Sequence, residues 1–139
     1  MSRVLACLIL ALSLFSGRSF AAEPTKEEIA RARAETWLTG VDEGKYPESW
    51  DQASALFKKA VTKEQWLQAI GTVRAPLGKL ISRNLKSSKL TAALPGAPDG
   101  SYVVLEYDAS FENKKAAIET ITPMVDPDGQ WRVAGYFIR

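Results

Sequence analysis

The hydrophobic spacing of this chain changes period near its middle, and that change restricts the fold more than any other feature. Before Pro76 the apolar residues recur at helical intervals. In "PTKEEIARARAETWLTGVDEG" they fall at Ala30, Ala34, Trp37, Leu38 and Val41, one face of a helix. Thr25 with Glu28 three residues later forms a capping-box signature, and Gly44 is a natural stop. "YPESWDQASALF" predicts a second, shorter helix. Pro47 sits in its first turn, and Trp50, Ala53 and Phe57 lie on one side. "TKEQWLQAIGTVRAP" repeats the start signal with Thr62 and Gln65. Trp66, Leu67, Ile70 and Val73 make its apolar face before Pro76 ends it.

After Pro76 the period becomes two. "LGKLISRNLKSSKL" reads as a long strand with a polar face, and "PGAPDG" as a loop. In "SYVVLEYDASF", Val103, Leu105, Tyr107, Ala109 and Phe111 share one face, with Tyr102, Glu106, Asp108 and Ser110 on the other. "AAIETITPMV" and "QWRVAGYFIR" supply two further strands. Pro123 cannot donate to a ladder, but it stands near a strand end. Helices followed by strands indicate an α+β fold: three N-terminal helices packed on one face of a bent, four-stranded antiparallel sheet.

The first residues obey different rules. "MSRVLACLILALSLFSGRSFAA" has a basic start at Arg3, an apolar run from Val4 to Phe15, and small residues at Ser19 and Ala21. This is the pattern of a secretory signal peptide, with cleavage expected after Ala21. The apolar run is too short to span the roughly 30 Å of a bilayer core. The expected organisation is a signal peptide over 1–21 and one α+β domain over 22–139. The product is then exported, either periplasmic or secreted.

Cleavage would remove Cys7, the only cysteine. It would also remove Arg3 and Arg18, taking the 18 basic residues to 16 against 16 acidic ones. A neutral mature chain offers no footprint for nucleic acid or for an anionic membrane. The chain has no histidine. Nucleophilic dyads built on histidine or a thiolate, and ordinary zinc sites, therefore lack their components. No phosphate-binding glycine loop occurs, and no cofactor is indicated.

Asp126, Asp128 and Gly129 in "MVDPDGQWRV" resemble the opening of a calcium loop. A full loop needs glycine at its sixth position and a bidentate glutamate at its twelfth. Those positions hold Trp131 and Phe137. The same residues suit a turn, with Pro127 fixing φ and Gly129 supplying a positive φ. A hairpin and no metal is the expectation.

Several phrases carry a resemblance: "AETWLTGVDEGKYPESWDQAS", "FKKAVTKEQW", "RAPLGKLISR", "LPGAPDGSYVVLEYDASFENK" and "DGQWRVAGYFIR". Together they resemble the small secreted bacterial proteins of the DUF4019 family, a domain of unknown function. The resemblance implies a cone-like fold similar to that of nuclear transport factor 2. It implies no catalytic residues.

Three functions stay open at this level. The first is a non-catalytic binding or scaffolding module. It would pair as a homodimer, or with a protein partner, through Tyr102, Val104, Tyr136 and Ile138 on the outer sheet face. The second is a carrier of a small apolar ligand in a cone cavity lined by Trp37, Trp66, Tyr107 and Phe137. The third is a histidine-free isomerase using strand carboxylates and tyrosines, drawn from Glu106, Asp108, Glu119, Tyr107 and Tyr136. Period-two alternation places Glu106 and Asp108 outside the apolar face, against this third reading.

Overall fold

A computed structural model describes residues 19–139. Most of the expected signal peptide, Cys7 and Arg3 included, lies outside the described residues. Four helices come first: α1 (Lys26–Asp42), α2 (Tyr46–Asp51), α3 (Ala55–Ala60) and α4 (Lys63–Arg74). A single 3-10 turn at Ala75–Leu77 leads into four strands: β1 (Leu80–Thr91), β2 (Tyr102–Phe111), β3 (Lys114–Val125) and β4 (Trp131–Ile138). The strands pair antiparallel in sequence order. The α+β class and the order of elements are as the hydrophobic periods predict.

Both capping boxes form. The Thr25 and Thr62 side chains accept from the backbone N–H of Glu28 and Gln65, whose side chains reach back. The expected second helix divides in two. Ser54, fully buried, accepts from the Phe57 N–H and so starts a new helix, α3. Its own N–H donates to the Val133 carbonyl at 2.8 Å, tying the break to β4.

The core lies between the helices and one sheet face. Ala30, Ala34, Trp37, Leu38 and Val41 of α1 meet Val103, Leu105, Tyr107, Ile121 and Val133 of the sheet. Aromatic rings fill its centre. Trp37 stands 5.8 Å from Trp66 and 5.5 Å from Tyr136, and Phe57 packs edge-on against Trp66 at 5.0 Å.

Register shifts interrupt all three strand pairings. One falls between Thr122 and Pro123, where Gly135 pairs with Thr122 and Val133 with Pro123, leaving Ala134 as the extra residue. This bulge sits where proline could not have donated to the ladder. It also reverses the facing of every later residue in β4. Trp131 and Val133 face the core, and beyond the bulge so do Tyr136 and Ile138. Phe137 is turned to the opposite face and is 55 % exposed.

Candidate functional site

Two places hold side chains that could act chemically: a charged network inside the molecule and a cleft at one end of the sheet.

The network joins five elements. Glu119 on β3 is fully buried and faces inward, because it pairs directly with Tyr107. Arg83 on β1 crosses β2 to meet it, with Nε donating to Oε1 at 2.6 Å and Nη2 to Oε2 at 3.1 Å. The Tyr136 hydroxyl donates to the same Oε2. Arg83 also donates to Asp42 at the end of α1, at 2.8 and 3.0 Å. Arg74, in the last turn of α4, donates to Asp42 Oδ1 at 2.8 Å and lies over the Phe111 ring at 5.0 Å. The charges balance, two guanidinium groups against two carboxylates. Arg74 Nε and Nη1 are buried without a partner among the described residues.

Burial raises the Tyr136 phenol well above its ordinary value, and the facing Glu119 charge adds to the effect. Burial would lower the Arg83 pKa. Hydrogen bonds to Asp42 and Glu119 outweigh it and hold the group above its usual range. Glu119 therefore has both oxygens engaged by cationic or hydroxyl donors. A carboxylate held this way is a structural ion rather than a free base. The other strand acids lie on the outer face. Glu106 pairs with Arg139 at 3.3 Å, and Asp108 stands 3.9 Å from Lys86.

The sequence-predicted ligand residues are not gathered around one cavity. Trp66 is packed in the helical core, with its indole N–H on Ser49 Oγ at 2.9 Å. The Tyr107 hydroxyl donates to Glu35 on α1 at 3.0 Å. Phe137 is on the far face of the sheet. Only Trp37 borders an open cleft.

The predicted outer-face residues also separate. Val104 is outward and half-buried. Tyr102 is outward in register but only 1 % exposed, because the loop before β2 folds over it and its hydroxyl donates to the Pro98 carbonyl. Tyr136 and Ile138 face inward, on account of the Ala134 bulge. Ile138 packs on the small cluster of Ala109, Phe111 and Ala117.

The Asp126–Gly129 stretch is the turn joining β3 to β4. The Gly129 N–H donates to the Asp126 carbonyl at 2.8 Å, and Gly129 has φ 82°. Both carboxylates hold Arg132, at 2.9 Å from Asp126 and 2.8 Å from Asp128. Asp126 also accepts from the Ala55 N–H at 3.2 Å, anchoring the start of α3.

Beside this turn lies a cleft of about 330 Å³. Arg33 and Thr36 of α1 form one wall, and Gln52, from the link between α2 and α3, closes one side. Gln130 and Arg132 rise from the hairpin, and Trp37, Trp131 and Val133 form the apolar part. The sequence does not single out Arg33, Gln52 or Gln130 as ligand residues. They stand far apart in the chain, and the only local signal is the Gln130-Trp131-Arg132 run directly after a loop.

A search of curated proteins returned no match. A family model described as "Protein of unknown function (DUF4019)" matches residues 33–136. The matched span runs from the cleft wall at Arg33 through the network residues Asp42, Arg74, Arg83, Glu119 and Tyr136, and the chain belongs to the DUF4019 family.

Proposed function

We propose that the chain is an exported, non-catalytic binding domain. The observation that carries this reading is the state of Glu119. Among the described residues it is the one carboxylate on the inner sheet face, and Arg83 and Tyr136 engage both of its oxygens. A general base needs a lone pair within reach of a substrate proton, whereas Glu119 is fully buried and three of its four acceptor sites are already taken. The aromatic core is likewise filled by its own rings. Recognition then falls to the surface.

Export rests on the sequence pattern ahead of residue 22. The cone-like arrangement implied by the family resemblance fits the helix-then-strand order, and we include it in the proposal. None of the described helices is long and apolar enough to cross a membrane.

The test is native mass spectrometry of Ala22–Arg139 purified from its own host compartment. A retained non-covalent mass supports ligand binding. A doubled mass supports the homodimer, with Val104 and Phe137 as the outer-face residues to mutate. A bare monomer that also captures no partner overturns the proposal.

A further inference from the structure

The cleft between α1 and the β3–β4 hairpin holds two side chains that depart from their own kind. Among the described residues the arginines at 31, 74, 83, 132 and 139 each contact a carboxylate. Arg33 contacts none. The indole N–H groups of Trp37, Trp50 and Trp66 each donate to an oxygen, at 2.8, 3.0 and 2.9 Å. That of Trp131 has no partner among the described residues, although the residue is only 8 % exposed. Its nitrogen is not among the sealed polar atoms, so it reaches the surface. Both exceptions border the same cleft.

The remaining chemistry of the cleft is consistent with them. Among the described residues no acidic side chain lines it, while Gln52 and Gln130 bring further amide donors. Arg132 is fixed by Asp126 and Asp128, two carboxylates that more than offset its single charge, and Arg33 is left as the cation available to a ligand. An arginine fork matches a carboxylate in two parallel hydrogen bonds. Trp37, Trp131 and Val133 provide an apolar surface next to those donors. A volume of about 330 Å³ is at the small end of ligand sites.

The geometry points to a binding site for a small carboxylate with a compact apolar body, held by Arg33 and the Trp131 N–H. This rests on the binding reading above and names its site and ligand class. The test is a titration of the mature chain followed through its tryptophan indole N–H resonances, with Trp131 assigned from the W131F variant. Benzoate is the probe, benzamide keeps the body without the charge, and inorganic phosphate keeps the charge without the body.

We expect benzoate to move the Trp131 resonance saturably, with benzamide and phosphate each weaker by about tenfold or more. R33Q should weaken benzoate by a similar factor while leaving the thermal unfolding midpoint of the free protein within about a degree, as for a surface substitution. W131F, read through the Trp37 resonance, should weaken benzoate severalfold. Equal binding of benzamide or phosphate overturns the proposal, as does full affinity in R33Q or no saturable shift. If benzoate fails while native mass spectrometry shows a retained ligand, this site falls and the binding reading stands. If both fail, both fall.

Discussion

Arg83 reaches from β1 over the neighbouring strand to clamp Glu119 on β3 through two hydrogen bonds, at 2.6 and 3.1 Å. The pair fixes two strands that are not direct neighbours, and Asp42 extends the hold to the end of α1. Replacing one partner leaves a buried charge alone. Arg83→Met should cost about 3–5 kcal/mol in urea unfolding at neutral pH. The double variant Arg83→Met with Glu119→Leu should recover most of that loss, since removing both charges removes the desolvation cost. A double variant as unstable as the single one would mean that the pair itself, rather than the stranded ion, carries the stability.

The phenol of Tyr136 lies against the same carboxylate, and its folded pKa is raised, first by burial and then by the Glu119 charge. The folded state therefore keeps its proton to higher pH than the unfolded state. The contribution to stability is complete below the ordinary tyrosine value of about 10 and falls as pH rises beyond it. The expected slope is about 1.4 kcal/mol per pH unit from this one group. Tyr136→Phe should flatten the alkaline limb of a stability–pH curve. An unchanged limb would show that Tyr136 ionises equally easily in both states.

Much of the fold can be read from the chain, and the parts that cannot have identifiable physical causes. Thr25 with Glu28, and Thr62 with Gln65, are local signals and act locally, so both helix starts are legible. The division at Ser54 depends on a bond to Val133, a contact no local window contains. The facing of β4 is lost to sequence reading for a similar reason. One extra residue at Ala134 inverts the alternation, and Gly135 beside it and Pro123 across from it are its hints in the sequence. Glu119 reads as one strand acid among several, because its partners Arg83 and Asp42 come from distant positions. The cleft is hidden in the same way, since Arg33 and Trp131 approach only after the hairpin packs beside α1.

The reversed facing makes its own prediction. Phe137, 55 % exposed, should accept aspartate with a change within about 0.5 kcal/mol. Ile138, one residue later, packs toward Phe111 and Ala117, and Ile138→Asp should cost about 2 kcal/mol or more. A regular strand with inward Phe137 would give the opposite order. Thermal denaturation of the two variants decides between the registers.

The β3–β4 turn settles what Asp126 and Asp128 are for. Asp126 is 8 % exposed and holds Arg132 together with the Ala55 N–H, so Asp126→Ala should cost about 1–3 kcal/mol by leaving both donors short of an acceptor. Asp128 is exposed. Its hydrogen bond with Arg132 lowers its pKa from 3.8 to about 2, helped by the Gln130 N–H. A depressed folded value means that its stabilising effect is present above pH 3.8 and disappears as pH falls toward 2. Asp128→Asn should therefore flatten the acid limb between those values and lower stability at neutral pH, where the Arg132 interaction is fully present, by the small amount an exposed pair supplies. We expect no calcium binding at this turn, because Arg132 occupies the carboxylates that a cation would need. Millimolar calcium should leave the midpoint of thermal unfolding where it was. A rise of several degrees, growing with calcium concentration as mass action requires, would show instead that Arg132 yields the two aspartates to the ion.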